Sequence, residues 1–392
     1  MPYDQLIIGL PDFAILSIED GPRLVIHARC SAKQHCIKCR NTQLRKKDRF
    51  LRRIRHVSFG EKLTELLVEA FKFYCKVCKI YFRQRLPGVL PRKRASEPFR
   101  KQVSRQHHHG ITQKTLAATM HVGQATVERW YQDFIRLEHH KTKGAACPRI
   151  LGIDEHFFTR KKGFATTFVD LRKNKVFDVK LGRSKKSLRS YLMSLKGRDK
   201  VEVVVIDLSE TYRGIIREFF PNAKIVADRF HVIRLINHHF MVAWKQFDSA
   251  GRMDRGLLSL MRRHSWNLRD DQPLKLSHYL ASQPGLEAVY SFKQQLSELL
   301  LIKHRTKRQC IELIPKFLEA IRQLKASPIN AMSTLGYTLE SWSEEIVRMW
   351  RFTKTNSITE GLHNKMEMIT RRAYGMRNFE NYRLRVRVHC GY

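Results

Sequence analysis

The spacing of apolar and polar residues changes several times along this chain. Between residues 147 and 231, short apolar runs alternate with amphipathic stretches near 187–195 and 211–219. The runs are Ile150–Ile153, Phe164–Val169, Val176–Val179, Val203–Ile206 and Ile225–Ala227. Short strands with intervening helices are typical of an α/β layer architecture, and we predict one here.

The flanking segments have other patterns. Residues 1–90 hold short, partly alternating segments such as Phe50–Val57, and residues 91–146 are basic and helical in pattern. Residues 232–350 are helical in pattern almost throughout, and residues 351–392 predict a last helix with a basic tail. The chain is therefore predicted to be a multidomain α/β and α protein, with Trp244 and Trp266 in the core of its helical part.

The charge balance indicates a polyanionic partner. Lys and Arg number 74 against 36 Asp and Glu, which gives a formal net charge of +38, while 43% of the residues are hydrophobic. The apolar content predicts a folded protein with a cationic surface, for which nucleic acid is the usual partner. A membrane surface is the weaker alternative, because the charge is spread from Arg23 to Arg387 rather than concentrated in one segment.

Nothing in the sequence predicts membrane insertion or export. No apolar run approaches the roughly 18 residues of a spanning helix. Residues 1–20 contain four acids and no basic start, unlike a signal peptide. We therefore expect a cytoplasmic protein, in which cysteines are rarely paired as disulfides.

Four of the eight cysteines form two C-x-x-C pairs, Cys36 with Cys39 and Cys75 with Cys78. Two such pairs can complete a closed tetrahedral zinc site. The long interval between the pairs fits a zinc ribbon if a hairpin that includes Arg52–Val57 spans it. His35 or Cys30 remains a possible substitute for one ligand, and four unrelated buried cysteines are the simpler alternative.

The segment Ile111–Tyr131 predicts a helix-turn-helix, with the turn at His121-Val122-Gly123 and Gly123 supplying positive φ. The second helix would begin near Gln124 and bury Val127 and Trp130. Its exposed side would present Gln124, Thr126, Arg129 and Gln132 to a DNA major groove. A helical hairpin without DNA contacts is the alternative.

Two apolar runs of the α/β segment lead directly into a carboxylate, at Asp154 and at Asp207. If these strands are neighbours, two like charges lie together at the strand ends and require a divalent cation. Oxygen ligands favour Mg²⁺ or Mn²⁺.

Glu360 is the third candidate acid. It lies on a polar stripe with Asn364, Glu367 and Arg371, opposite an apolar face formed by Leu362, Met366 and Ile369. The spacing Ser357-x-x-Glu360 is also that of a helix capping box, which would make Glu360 structural.

Together these features resemble the bacterial insertion-sequence transposases of the ISL3 family, which belong to the DDE class. The matching stretches, in order along nearly the whole chain, are Ile150–Glu155, Val205–Ser209 with Tyr212 downstream, Phe220–His231, Asn356–Gly361 and Arg371–Glu380. The resemblance implies an RNase H-like catalytic core interrupted by an all-helical insertion. It also implies an N-terminal zinc ribbon and a helix-turn-helix, both of which bind DNA.

The resemblance also assigns domains and residues. The domains would be the zinc ribbon (1–90), the helix-turn-helix (91–146), the core (147–231 and 351–392) and the insertion (232–350). The catalytic, Mg²⁺-binding acids fall on Asp154, Asp207 and Glu360, and the zinc ligands fall on Cys36, Cys39, Cys75 and Cys78. Arg40 stands where such ribbons often place Gly.

Asp228 is the rival of Asp207, because it too follows an apolar run. In an RNase H-like sheet the second acid follows the fourth strand, which by count is Val203–Ile206, and this favours Asp207. Asp228 and His231 would then support the site from behind or contact DNA.

The resemblance implies a DNA transposase that binds the terminal inverted repeats of its element and acts as a dimer or larger homo-oligomer at the nucleoid. Two Mg²⁺ ions (or Mn²⁺) would promote hydrolysis at the element end and then attack of the freed 3′-hydroxyl on target DNA. A non-catalytic DNA-binding regulator and a structure-selective nuclease on the same core are the alternatives.

Overall fold

A computed structural model of the chain describes residues 8–142, 144–353, 357–373 and 375–391. These residues form two compact units, residues 1–140 and 141–392. Within the described ranges, no helix is long and apolar enough to cross a membrane.

The first unit is built on a five-stranded sheet with the order β1-β2-β4-β3, in which β5 also pairs with β4. The strands are β1 (Phe13–Glu19), β2 (Leu24–Cys30), β3 (Leu44–Phe59), β4 (Lys62–Cys75) and β5 (Tyr81–Arg83). The β3–β4 hairpin pairs Leu44 with Cys75 at one end and Phe59 with Lys62 at the other, with register shifts between Lys46 and Arg49 and between His56 and Phe59. It includes Arg52–Val57 and spans the interval between the cysteine pairs, as predicted.

The side chains of β4 alternate between an apolar face and a face of ion pairs, and this explains how so basic a sheet is stable. Leu66 and Val68 of β4 are fully buried in an apolar cluster, and their neighbours Glu65 and Glu69 lie on the opposite face. Those two carboxylates bind arginines of the flanking strands. The pairs are Arg23–Glu65 (2.6 Å), Arg53–Glu65 (3.5 Å), Arg29–Glu69 (3.0 Å) and Arg49–Glu69 (2.9 Å).

Among the described residues, the sheet of the first unit is followed by the helices α1 (Glu97–His108), α2 (Gln113–Thr119) and α3 (Gln124–Thr142). Val127 is buried in a small core with Leu116, and Trp130 packs against it partly buried, as predicted for Val127 and Trp130. The prediction for the turn was wrong in one respect. The left-handed residue between α2 and α3 is His121 (φ 49°) and not Gly123.

The second unit contains a five-stranded mixed sheet with the order β10-β9-β6-β7-β8. Its strands are β6 (Ile150–Thr159), β7 (Gly163–Asp170), β8 (Lys175–Leu181), β9 (Val203–Ile206) and β10 (Lys224–Ala227). β6, β7 and β8 are antiparallel, whereas β9 is parallel to β6 and β10 is parallel to β9. Helices α4 (Lys185–Ser194) and α5 (Glu210–Phe219) supply the crossovers that parallel strands need.

Residues 229–347 are helical, as the pattern predicted. The helices are α6 (Arg229–Phe247), α7 (Arg255–Arg262), α8 (Gln272–Ala281), α9 (Pro284–Leu301), α10 (Lys307–Ala326), α11 (Asn330–Ser341) and α12 (Ser343–Val347). Trp244 is fully buried, but Trp266 is 51% exposed, so its predicted place in the core is wrong. Trp266 belongs to a three-residue turn in which no residue is buried, and its ring stacks on His264 with 4.5 Å between the centroids.

The chain ends with α13 (Ser357–Arg372) and α14 (Phe379–Cys390). Leu362 and Met366 of α13 and Val386 of α14 join the core that surrounds the second sheet. The last two helices therefore belong to the same core as the strands, although the helical segment separates them in sequence.

A buried ion pair ties α12 to the sheet layer. Arg213 of α5 donates to Glu345 (2.9 Å) and to the carbonyl of Ser341 (2.7 Å), and its guanidinium lies 3.6 Å from the ring centroid of Trp342. Only 3% of the Glu345 side chain is exposed. Removing one member of such a pair leaves the other charge buried without compensation.

We therefore expect Glu345→Gln to lower the free energy of unfolding by about 3 kcal/mol. The matched control is Glu319→Gln, because Glu319 forms an exposed ion pair with Arg322, and such pairs contribute less than about 1 kcal/mol. Denaturant titration and thermal melting of both variants would measure the difference. Equal, small losses in the two variants would contradict a structural role for the buried pair.

Candidate active site and zinc centre

The four paired cysteines meet at one end of the β3–β4 hairpin. The Sγ atoms of Cys36, Cys39, Cys75 and Cys78 all lie within 4.8 Å of one another. Cys75 ends β4, and the other pair precedes β3, so the hairpin register brings the two pairs together. Four thiolates at such spacing are the donor set of a structural zinc site. The residues fit Zn²⁺, and neither His35 nor Cys30 is needed to complete the set.

The two cysteine pairs form matching knuckles. Arg40 and Lys79, each directly after its pair, have φ of 57° and 55°, and their N–H groups donate to the carbonyls of Cys36 and Cys75. Arg40 thus takes the left-handed conformation that Gly would take. Backbone N–H groups of Cys39 and Lys38 lower the pKa of Cys36 to about 6, which favours the metal-binding thiolate.

Three carboxylates lie in one row across the second sheet. The parallel register pairs Gly152 with Val205, so its continuation by two residues aligns Asp154 with Asp207. The next register pairs Ile206 with Ala227, so Asp228 follows beside Asp207. Aligned residues of neighbouring parallel strands project to the same face. The row is therefore a consequence of strand order.

The apolar run suggested that Asp154 lies at the end of its strand, but the strand continues beyond it. β6 continues to Thr159 because its antiparallel partner β7 extends the ladder, with Asp154 opposite Thr167. β9, the parallel partner, stops at Ile206. Asp154 is therefore held in the middle of a rigid strand, at the level where the neighbouring strand ends.

The electrostatics of the row reflect its crowding. Burial, and next the negative charge of Asp207, raise the pKa of Asp154 to about 7. Asp154 Oδ1 accepts a hydrogen bond from the N–H of Glu155 (2.7 Å). Asp207 Oδ1 is buried and lies 2.9 Å from His231 Nδ1.

His231, in the first turn of α6, lies between the other two acids. Its Nδ1 is 2.8 Å from Asp228 and 2.9 Å from Asp207, so the Nδ1–H lies between the two carboxylates and is shared by them. Burial lowers the pKa of His231, but hydrogen bonds and charges of both acids outweigh that effect and raise it to about 10. The imidazolium partly neutralises the row, and Asp228 is only 1% exposed behind it.

The sequence analysis missed His363, which belongs to the same helix as Glu360. His363 Nδ1 lies 3.7 Å from Asp154 Oδ2, and its Nε2 is hydrogen-bonded to Thr167 (3.1 Å). Burial lowers the pKa of His363 to about 4 and that of the adjacent His156 to about 3, so both rings are uncharged at neutral pH. The available signal was the spacing, since His363 follows Glu360 by three residues on one helix face.

Glu360 lies in the first turn of α13 and is exposed. Within the described ranges it forms no hydrogen bond or ion pair, and it does not join the cluster of Asp207, Asp228 and His231. Asn356 and the side chain of Ser357 lie outside the described residues, so the capping-box alternative is not tested. The predicted apolar face is present, because Leu362 and Met366 are buried.

The predicted DNA-contacting residues border a basic cleft in the first unit. Gln124 and Arg129 are exposed on α3, and Thr126 and Gln132 are partly exposed. Thr126, Arg129 and Gln132 line a cleft of about 700 Å³ together with residues that precede α1. The cationic residues of this cleft are Arg55, Arg92, Lys93, Arg94, Arg100, Arg129 and Arg136, and the acidic ones are Glu128 and Asp133.

Comparison with known proteins gives a family match in each of the two units. Residues 32–78 match the family described as the zinc-finger of transposase IS204/IS1001/IS1096/IS1165. Residues 151–386, more than half of the chain, match the ISL3 family of DDE transposases. The chain is also 24% identical to the transposase for insertion sequence element IS1001 of Bordetella parapertussis, over 94% of this chain and 92% of that protein. The protein is thus a member of the ISL3 transposase family, with a zinc ribbon near its N-terminus.

Proposed function

We propose that the second unit is an RNase H-like DDE core that cleaves the ends of an insertion sequence and transfers the freed 3′ ends to target DNA. The observation that carries this proposal is the row of Asp154, Asp207 and Asp228 across adjacent strands. The strand order supports it, since three antiparallel strands are followed by two parallel strands on the other side of the first.

Asp154 and Asp207 are the proposed catalytic pair, and Mg²⁺ (or Mn²⁺) is the proposed cofactor. Asp207 is favoured over Asp228 because it follows the strand beside Asp154 and is the more accessible acid, with 26% of its side chain exposed against 1% for Asp228. His231 Nδ1 lies within 2.9 Å of both acids. We propose that Asp228 holds His231 against the site.

The carboxylate oxygens fit a divalent cation, which would supply Lewis-acid stabilisation of the phosphodiester oxygens. Asp154, placed by a rigid strand, and Asp207 would hold it. Glu360 is proposed as the third acid because its exposed side chain lies one turn before His363, which contacts Asp154 (3.7 Å). His231 limits the repulsion between Asp207 and Asp228.

We propose that the first unit binds double-stranded DNA. α2 and α3 would act as a helix-turn-helix, with Gln124, Thr126, Arg129 and Gln132 towards the major groove. The arginines that precede α1 line the same cleft as α3, so they would neutralise the phosphates that border that groove. The terminal inverted repeats are the proposed specific sites.

The remaining proposals follow from the reaction. Joining two element ends requires two cores, so we propose a homodimer or larger assembly in the cytoplasm at the nucleoid. The two units would be subdivided into zinc ribbon (1–90), helix-turn-helix (91–146), core (147–231 and 351–392) and helical insertion (232–350).

The first experiment is Mg²⁺-dependent cleavage of labelled element ends. We expect Asp154→Asn, Asp207→Asn and Glu360→Gln each to lower the cleavage rate by at least about 10²-fold, because each would remove a metal ligand worth several kcal/mol. Glu367→Gln is the matched control, since Glu367 is exposed on the same helix as Glu360 and should cleave normally. Loss in Asp228→Asn with retention in Asp207→Asn would reverse the assignment of the second acid.

The DNA proposal is tested by binding at several salt concentrations. Arg92→Gln should weaken binding to element ends and to random DNA equally and reduce the slope of log K against log salt by about 1. Gln132→Ala should weaken binding to element ends alone. An unchanged slope in the Arg92 variant would show that the cleft does not bind the DNA backbone.

Zinc is tested by metal analysis of purified protein. Cys75→Ser should reduce the zinc content from about one ion per chain to nearly none and destabilise the first unit, because a closed site needs all four ligands. The control is Cys147→Ser, a buried cysteine of the second unit, which should retain its zinc. Equal zinc contents in the two variants would argue against the four-cysteine site.

A further inference from the structure

A chain of four polar side chains leads away from Asp154 into the protein. His363 Nε2 is 3.1 Å from Thr167 Oγ1, Thr167 Oγ1 is 2.9 Å from His156 Nδ1, and His156 Nε2 is 2.8 Å from the Tyr382 hydroxyl. The four residues come from α13, β7, β6 and α14. The chain therefore joins both C-terminal helices to the strand that carries the first acid.

The donor and acceptor capacity of these groups determines which atom donates in each hydrogen bond of the series. An uncharged imidazole has one N–H and one acceptor nitrogen, and a hydroxyl donates once. If the Tyr382 hydroxyl donates to His156 Nε2, then His156 Nδ1–H donates to Thr167. Thr167 in turn donates to His363 Nε2, and the remaining N–H of His363 faces Asp154 Oδ2.

The reverse direction leaves a donor unused. His156 would then donate to the Tyr382 oxygen, and the phenolic hydrogen would need another acceptor. Tyr382 is 2% exposed, and no second hydrogen-bond partner of its hydroxyl is found within the described ranges. Burying a hydroxyl donor without an acceptor is unfavourable. The first direction, with an N–H towards Asp154, is therefore preferred.

We infer that His363 is a positioning residue for Asp154, oriented through Thr167, His156 and Tyr382. Asp154 Oδ1 is held by the N–H of Glu155, and His363 Nδ1 faces Oδ2 at 3.7 Å. The hydrogen bond to Oδ1 and the His363 ring beside Oδ2 together restrict rotation of the carboxylate. Partners of this kind orient metal ligands and determine their affinity.

The same contact sets the position of α13. His363 lies one turn after Glu360, so holding His363 against Asp154 fixes the height of that helix turn relative to β6. This inference rests on the proposal that Asp154 binds a divalent cation. Its test therefore measures ion binding directly as well as DNA cleavage.

The test uses Mn²⁺ binding to the full-length protein, followed by electron paramagnetic resonance, beside the Mg²⁺ dependence of cleavage. Tyr382→Phe keeps the ring that packs against Phe158 and Phe379 and removes only the hydroxyl. We expect the dissociation constant for Mn²⁺ and the half-saturating Mg²⁺ concentration to rise about 10-fold. Cleavage at saturating metal should stay near normal.

Two substitutions of His363 separate its two contacts. His363→Asn places an amide near the Nδ1 position and keeps an N–H facing Asp154, whereas His363→Gln reaches towards Thr167 and does not. The Gln variant should therefore weaken Mn²⁺ binding more than the Asn variant. Tyr290→Phe is the control, because Tyr290 is a buried tyrosine of α9 that takes no part in this series of hydrogen bonds. The Mn²⁺ affinity of this variant should be unchanged.

Unchanged Mn²⁺ affinity in Tyr382→Phe and His363→Gln, with only a lower melting temperature, would overturn the inference and leave a structural network. Equal Mn²⁺ losses in the Asn and Gln variants would also overturn it. Wild-type protein that binds Mn²⁺ at Asp154 but cleaves no DNA would contradict the proposed function and leave the positioning role intact.

Discussion

The second unit has to accommodate electrostatic repulsion, because its sheet places three carboxylates side by side across neighbouring parallel strands. Strands in a sheet are about 4.8 Å apart, and two like charges at that separation repel by about 3 kcal/mol at an effective dielectric constant of 20. The fold relieves this repulsion with an internal cation, His231, between Asp207 and Asp228. It also raises the pKa of Asp154 to about 7. A divalent cation would remove what remains, so binding of metal and stability of the sheet edge are linked.

Much of the fold could be predicted from residue pattern. β9 and β10 are buried on both faces, so they appear in the sequence as uninterrupted apolar runs, and β9 coincides with Val203–Ile206. The extension of β6 beyond Ile153 could not be predicted, because polar residues there are held in a strand by their pairing with β7. Trp266 is exposed because it lies in a short turn with no buried residue, and the helical pattern of the surrounding segment did not indicate this turn. The left-handed His121 likewise occupies a position where sequence rules favour Gly.

The site divides in the same way. Two C-x-x-C pairs and acids next to apolar runs carry strong local signals, and the structure brings the four cysteines together. His363 carries only a weak local signal, its spacing of three residues from Glu360, and its contact with Asp154 appears only when α13 lies against β6. The zinc site also shows why one departure from the usual ribbon pattern is tolerated. Arg40 adopts the same backbone conformation as Lys79, so both knuckles close with side chains of like charge.

The position of α13 and α14 has a consequence during synthesis on the ribosome. The residues proposed to contact DNA and both strand acids emerge early, whereas Glu360, His363 and Tyr382 emerge only when translation is nearly complete. The first unit, which forms its own compact core, can thus fold while α13 and α14 are still being synthesised. Premature termination before residue 357 would yield a product that keeps this unit and lacks the two helices that complete the core of the second.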